Sequence, residues 1–265
     1  MEIERIFGLL FAAMLGGILG SFFNVLIIRW HEGQGLGGRS FCPKCKKTIK
    51  ARHLIPIVSW LWLKGKCADC GKKINSQYVL VEATAAMLGI IAALRWDPFS
   101  QPMFWFEFLL SASLLVPVVM DLRWKELPVE YLLGIGIAGM AFNFSGLSKL
   151  GNGGLLSMNL LNMAIALAAT AVFFGGQHLL SRGRWLGSGD IIFGLMMAGV
   201  LSWPLAAVGV YAAYIIGAVA ALIGLVSGVF TRKMRLPFAP ALAAGTMVAV
   251  WFGPGILHWL AYASI

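Results

Sequence analysis

Apolar runs of about 20 residues recur along most of the chain, and a helix needs roughly that length to cross the hydrocarbon core of a bilayer. Only helices and closed barrels satisfy the backbone in lipid, and these runs lack the period-two alternation of barrel strands. The sequence therefore predicts an all-α polytopic membrane protein. We expect about eight transmembrane helices, over residues 6–28, 78–94, 102–120, 129–147, 157–180, 185–203, 204–230 and 236–262.

The basic residues predict how these helices are oriented. If eight helices alternate in direction, all but three of the 21 Lys and Arg residues fall on one side, the exceptions being Arg5, Arg95 and Lys149. Cytoplasmic loops carry such an excess. We therefore expect a multi-pass protein of the cytoplasmic membrane with both termini outside. The segment before the first run, Met1–Arg5, is not basic, so that run is expected to be a retained helix rather than a secretory signal.

The net charge of +10 is explained by the same topology. Basic residues that flank membrane helices attract anionic lipid, whereas a nucleic-acid site would interleave basic and stacking aromatic residues on one surface. We expect membrane lipid and no nucleic acid among the partners.

Two aspartates lie at the edges of apolar runs in a chain with only 11 acidic residues. Asp121 follows the run 102–120, and Asp190 ends the motif Gly187-Ser188-Gly189-Asp190. An ionised carboxylate in lipid costs several kcal/mol unless it is paired, protonated or hydrated. The stretch from Ile191 to Trp203 is too short to span, so we expect the helix to begin near Trp185 and Asp190 to lie about one turn inside the membrane.

Two carboxylates on the same side of a membrane can form a catalytic dyad. Held close together in low dielectric, such a pair keeps one proton, and its two members can then act as general base and general acid on a peptide bond. Two other interpretations stay open from the residues alone. Either acid can cap a helix, and ion-coupled transporters also use buried carboxylates.

All four cysteines of the chain lie in the large basic loop between the first two helices. Two CxxC pairs at this spacing are typical of a closed tetrahedral zinc site, and a reducing compartment disfavours structural disulfides. We expect a structural zinc ion in a zinc-ribbon-like cytoplasmic domain, bound by Cys42, Cys45, Cys67 and Cys70.

Six sequence pieces in a fixed order resemble the type IV prepilin peptidases, the bifunctional leader peptidase and N-methyltransferase family of bacterial inner membranes. Asp121 precedes Leu127-Pro128, and Asp190 ends the glycine motif. The other pieces are Gly20 to Val25 with Arg29, the double CxxC, Ile55 to Trp60 and Tyr78 to Glu82.

The resemblance implies a membrane aspartic peptidase that cuts the basic leader from prepilins and pseudopilins after a glycine at the cytoplasmic face. It implies Asp121 and Asp190 as catalytic residues, with Gly187 and Gly189 as part of the active-site motif. It also implies methyl transfer from S-adenosylmethionine to the new N-terminal residue. One departure is Ile192, where the family usually has a lysine.

Three polar residues of the first two helices are candidates for S-adenosylmethionine binding, and Asn24 and Arg29 could equally be interhelical polar contacts. The third, Glu82, matches a family glutamate but could also be an acid near a helix N-terminus. The predicted organisation is a first transmembrane helix over 1–29, a zinc-binding loop domain over 30–77 and a membrane-embedded peptidase core over 78–265.

Overall fold

The computed structural model describes residues 2–145, 160–229, 231, 234 and 236–263. Ten α-helices are described, with no β-strand beyond two isolated bridges in those residues. The chain divides into two compact units, Met1–Val116 and Pro117–Ile265. This all-helical architecture confirms the predicted fold class.

The first unit is built on a close pair of helices, α1 (Glu2–His31) and α3 (Gln77–Arg95). A side chain at Gly20 would come within 2.6 Å of the Glu82 Cα, so the glycine is what permits this approach. Helix α4 (Pro102–Ser113) packs on both. Because α3 and α4 pack on α1, the first unit extends beyond the cysteine-bearing loop to the end of α4.

The loop between α1 and α3 carries the cysteines and little regular structure. Its helical elements are a 3-10 turn (Ala51–His53) and the short helix α2 (Val58–Trp62). Two bridges, Phe41 with Thr48 and Lys66 with Lys73, each close a turn around one CxxC pair. The loop therefore contains two similar hairpin turns, as the repeated CxxC spacing predicts.

The second unit is arranged around α8 (Ser188–Leu201). This helix packs against four others and buries nearly all of its residues from Phe193 onward. Its partners are α6 (Val129–Phe144), α7 (Leu160–Ser181), α9 (Leu205–Val226) and α10 (Ala239–Ala263). Helix α5 (Leu115–Trp124) carries Asp121. The helix with the glycine motif is thus the centre of this unit.

Six helices are long and apolar enough to cross a membrane: Ile3–His31, Gln77–Arg95, Pro102–Trp124, Leu160–Ser181, Leu205–Val226 and Ala239–Ala261. The other two predicted spans are shorter helices, α6 and α8. At 1.5 Å per residue they extend about 24 and about 21 Å, less than the roughly 30 Å of a hydrocarbon core. The count of eight full-length spans is therefore not confirmed.

Helix α8 begins later than the sequence predicted. It starts at Ser188, because Gly187 is extended (φ −74°, ψ 159°), and Arg182 and Gly183 both have positive φ. The expected start near Trp185 was wrong, and Asp190 lies in the first turn of the helix. Positions 146–147 and 157–159 of two predicted runs, and position 230 of a third, lie outside the described residues, as do Lys149, Arg232, Lys233 and Arg235.

Candidate active site

Asp121 is a buried carboxylate that binds the start of another helix. It lies near the end of α5 and is only 7% exposed. Its Oδ2 accepts a hydrogen bond from the N–H of Ala239, the first residue of α10, at 2.9 Å. The first N–H groups of a helix have no partner within the helix and form its positive end. The N-terminus of α10 therefore stabilises the anionic form of Asp121.

Asp190 has an equivalent environment at the start of α8. Its Oδ2 accepts a hydrogen bond from the N–H of Gly187 at 3.0 Å, and its own N–H donates to the Gly187 carbonyl at 3.2 Å. These two bonds form a reciprocal cap at the helix N-terminus. The side chain is less buried than that of Asp121.

The two aspartates belong to the same unit, and the start of α8 approaches the segment that follows Asp121. Each carboxylate accepts a backbone N–H at a helix N-terminus through its Oδ2 atom. The helix-capping interpretation is therefore structurally correct for both residues. Capping holds each carboxyl group in place and is compatible with a dyad, since hydrogen bonding to a helix end also fixes the geometry that proton transfer requires.

Gly189 is required by the close approach of Leu127. A side chain at Gly189 would come within 2.8 Å of the Leu127 Cδ1 and 3.0 Å of its Cβ. Leu127 belongs to the segment that connects α5 to α6, directly after the helix of Asp121. At Gly187, by contrast, a side chain would meet only the Asp190 carboxylate, at 3.4 Å. The glycine motif thus lets the start of α8 pack against the segment that follows Asp121.

The four cysteines form one cluster in the first unit. Their sulfur atoms all lie within 4.8 Å of one another. Each pair sits on a matching turn, in which the first cysteine N–H donates to the carbonyl five residues later, Cys42 to Lys47 and Cys67 to Lys72, both at 2.9 Å. A tetrahedral metal with sulfur ligands at about 2.3 Å places its sulfurs about 3.8 Å apart, so the cluster fits such an ion.

The thiols of this cluster differ in acidity. Burial raises the pKa of the Cys42 thiol, but hydrogen bonds from the backbone N–H groups of Cys45 and Lys44 outweigh it and lower that pKa to about 7. For Cys70 a backbone N–H from Lys72 acts in the same direction, yet burial and the neighbouring thiols raise the pKa to about 11. Four thiols this close share their protons, and a cation would allow all of them to ionise.

Arg29, one of the three candidates for S-adenosylmethionine binding, forms hydrogen bonds with a glycine-rich loop. Its buried guanidinium donates to the carbonyl of Gly37 at 2.6 Å, to those of Gly35 and Gly38 at 3.4 and 3.3 Å, and to that of Leu36. Five guanidinium N–H groups in a fixed fork suit such a set of acceptors. Arg29 therefore holds the start of the cysteine-bearing loop against α1.

Asn24 and Glu82 also connect the membrane helices to neighbouring backbone. The Asn24 amide donates to the carbonyl of Tyr78 at 3.0 Å and accepts from the Gln77 amide at 3.3 Å. The Glu82 carboxylate, 8% exposed, accepts the N–H of Ile57 at 2.7 Å. Ile57 has a φ of +64°, which is strained for a β-branched residue. All three candidates belong to the first unit, whereas the two aspartates belong to the second.

Sequence reasoning missed three contacts at these sites. They are the Ala239 N–H bound to Asp121, the packing of Leu127 on Gly189, and the Ile57 N–H bound to Glu82. A backbone donor has no signature in the sequence. The prolines Pro237 and Pro240 around Ala239 do indicate a helix start, and Leu127 is adjacent to Pro128 of the family motif. Neither signal reveals which side chain binds the N–H groups at the helix start, or which residue the leucine contacts.

Two family models match this chain in order. Residues 14–96 match the model of the bacterial peptidase A24 N-terminal domain, and residues 108–222 match that of the type IV leader peptidase family. No solved structure matches the chain.

Several curated relatives are similar over most of their length. A type 4 prepilin-like proteins leader peptide-processing enzyme of Escherichia coli O78:H11 is 31% identical over 90% of this chain and 92% of its own. A prepilin leader peptidase/N-methyltransferase of Bacillus subtilis is 31% identical over 93% and 95%. One of Pectobacterium carotovorum is 32% identical over 66% and 73%. On these similarities, and on two domain models matched in order, the chain belongs to the type IV leader peptidase family.

Proposed function

We propose that this chain is a membrane aspartic peptidase that removes the basic leader of type IV prepilins and pseudopilins, cutting after a glycine at the cytoplasmic face. The observation that carries the proposal is the pair Asp121 and Asp190, which lie in the same unit and are each bound by a backbone N–H at the start of a helix. The family supports it, because the relatives are named as leader peptidases.

The dyad would act through one shared proton. Two neighbouring carboxylates in low dielectric do not both ionise readily, so one is an acid and the other a base. The ionised member takes a proton from a water molecule, whose oxygen attacks the scissile carbonyl carbon. The neutral member donates its proton to the carbonyl oxygen. When the C–N bond breaks, the protonated member gives its proton to the leaving nitrogen and the other carboxylate takes a proton from a hydroxyl of the intermediate, which restores the shared proton.

The charges of the loops support cleavage at the cytoplasmic face of the membrane. Basic loops predict a cytoplasmic position for the loop between α1 and α3 and for the segment after Asp121. A prepilin that inserts its apolar helix into the bilayer leaves its basic leader at that same surface, in contact with anionic lipid. The scissile bond then lies at the depth of a carboxylate at a membrane helix end.

Zinc is the metal that the cysteine cluster would hold. Cys42, Cys45, Cys67 and Cys70 would bind it as thiolates and leave no coordination position open, so the ion would be structural. The described loop has only short helical elements and two isolated bridges, and such loops depend on metal binding to fold.

The second activity is N-methylation of the newly exposed residue. S-adenosylmethionine supplies a methyl group whose bond to sulfur breaks as a bond to the amine nitrogen forms, and the amine loses a proton. We place this activity in the first unit, where Asn24, Arg29 and Glu82 hold the loop segments that would shape the site. The buried Glu82 carboxylate suits a ligand that carries a sulfonium cation.

Mass spectrometry of one prepilin incubated with the purified protein in detergent tests both activities. We expect loss of the leader mass, and a further gain of one methyl group when S-adenosylmethionine is added. Asp121→Asn and Asp190→Asn should abolish the first change and leave methylation of an already trimmed substrate intact. Full-length prepilin after incubation with the wild-type protein, combined with proton- or cation-driven flux in liposomes, would instead support the transporter interpretation.

A further inference from the structure

Two polar side chains meet inside the second unit, in helices that are otherwise strongly apolar. The hydroxyl of Tyr214 on α9 donates a hydrogen bond to the Gln177 Oε1 on α7 at 2.9 Å. Side chain–side chain hydrogen bonds are a minority of those in proteins, and polar residues within membrane helices usually serve a function. The aspartate chemistry proposed above does not use this pair.

Helix geometry brings Tyr214 to the level of Asp190. About 16 Å of helix separates Asp190 from Leu201, the last residue of α8. About 14 Å of helix separates Leu205, the first residue of α9, from Tyr214. Only Ser202, Trp203 and Pro204 join the two helices. The charge of Asp190 also acts on the Tyr214 hydroxyl, which agrees with this placement.

Tyr214 is also in contact with the segment that binds the other aspartate. Its ring packs edge-on against Phe238, with ring centres 5.2 Å apart. Phe238 directly precedes Ala239, whose N–H binds Asp121. On its other side the Tyr214 ring contacts Phe173 of α7, at 5.4 Å. These contacts fix the phenol ring beside the segment that binds Asp121.

The pair offers one acceptor and one donor to an incoming group. The Tyr214 hydroxyl donates to Gln177, so its oxygen can still accept a hydrogen bond. The Gln177 amide uses one N–H on the Phe173 carbonyl, at 3.3 Å, and its other N–H has no partner among the described residues. Both side chains are half-buried. An acceptor next to a donor is the complement of a peptide group.

A substrate that is cut inside or at the edge of a membrane needs such an acceptor and donor for its backbone. Its backbone must leave the helical conformation to expose the scissile bond, and each freed N–H and C=O then costs several kcal/mol in lipid unless it finds a partner. We propose that the Tyr214–Gln177 pair binds a peptide group of the unwound substrate beside the scissile bond. The inference rests on the proposed peptidase function and assigns that site its backbone-binding residues.

Steady-state kinetics of leader removal test this role. Tyr214→Phe and Gln177→Met should each lower kcat about tenfold, the worth of one hydrogen bond in the reacting complex. KM should change little, because the apolar helix of the substrate dominates ground-state binding. The double variant should lose less than the product of the two single losses, since each side chain positions the other through their mutual hydrogen bond.

Tyr211→Phe is the matched control. It removes the same hydroxyl from the same helix, three residues earlier, where the side chain is 72% exposed. We expect wild-type kinetics from it, and an unchanged thermal midpoint in detergent for every variant.

Three results would overturn the inference: wild-type kcat for Tyr214→Phe, equal losses for the Tyr214 and Tyr211 variants, or losses that multiply in the double variant. Asp190→Asn should be measured in the same experiment. It shows whether the backbone-binding role alone has failed or the proposed peptidase function as well. If the wild type cleaves and Asp190→Asn does not, only the backbone-binding role is at stake.

Discussion

Two buried acids on one apolar span, Pro102–Trp124, are stabilised in opposite ways. Glu107, in the first unit, is 1% exposed, and its Oε2 accepts hydrogen bonds from the Arg95 Nε at 3.1 Å and the Trp96 Nε1 at 2.7 Å. Asp121, in the second unit, is nearly as buried, but no described Lys or Arg lies within ion-pair distance of it. Its carboxylate accepts the backbone N–H of Ala239 instead, with Lys125 beyond ion-pair distance.

The difference separates acids that hold the fold from acids that are available for chemistry. A carboxylate paired with a cation stays ionised and has little capacity to exchange protons. A carboxylate held by a helix end beside another acid can do so, because the pair shares one proton. Burial alone therefore does not identify a catalytic acid in a membrane protein, whereas the identity of its partners does.

The largest effect is expected at the cysteine cluster, because the fold of the whole loop depends on it. Cys42→Ser should abolish metal binding and unfold the loop, since a structural zinc contributes on the order of 10 kcal/mol. Zinc content and limited proteolysis of residues 40–75 measure this. Asp69→Asn is the control, because the Lys47–Asp69 ion pair at 3.7 Å is on the surface and should contribute under about 1 kcal/mol. A Cys42→Ser protein with full zinc content and protected loop would contradict the assignment.

The next largest effect is expected at the dyad. Asp121→Asn or Asp190→Asn should lower kcat for leader removal by about a thousandfold, because each removes one member of the acid–base pair. The asparagine side chain can still accept the backbone N–H, so thermal stability should be nearly unchanged. Retention of even a tenth of the wild-type kcat by either variant would exclude that residue as part of the dyad.

Glu107→Gln should have the reverse pattern. It removes the anionic partner of Arg95 and should lower the free energy of unfolding by about 2 kcal/mol, the worth of a hydrogen bond to a charged group. The kcat of the folded protein should not change. Thermal unfolding in detergent, with kinetics on the same preparation, measures both, and a large drop in kcat without loss of stability would remove the distinction between the two acids.

The smallest effect is expected at Gly189. Gly189→Ala forces a methyl group against Leu127, so the start of α8 should shift and kcat should fall about tenfold. Leu127→Ala should restore part of the loss in the double variant, since it removes the Cδ1 and Cγ contacts and leaves the Cβ at 3.0 Å. Gly134→Ala on α6 is the control, because a side chain there meets no atom within 4 Å. An equal loss at both glycines would show that the effect is not local to the motif.

Two parts of this arrangement could be predicted from the sequence, the helical class and the cysteine cluster. Apolar run length and CxxC spacing are local signals, and they were sufficient. The start of α8 could not be predicted, because it depends on the backbone conformation of residues 182–187. The commitment of Arg29 to four loop carbonyls and the pairing of Tyr214 with Gln177 could not be predicted either, since both depend on tertiary contacts between distant or irregular segments.

The central claim is that Asp121 and Asp190 work as one unit, and the kcat of the double variant tests it most directly. Leader removal should be measured for Asp121→Asn, Asp190→Asn and the two combined, on one prepilin and at one detergent concentration. We predict that the double variant is no slower than the slower single variant, because either change alone already destroys the shared-proton pair. Losses that multiply would show two independent residues and would contradict the dyad.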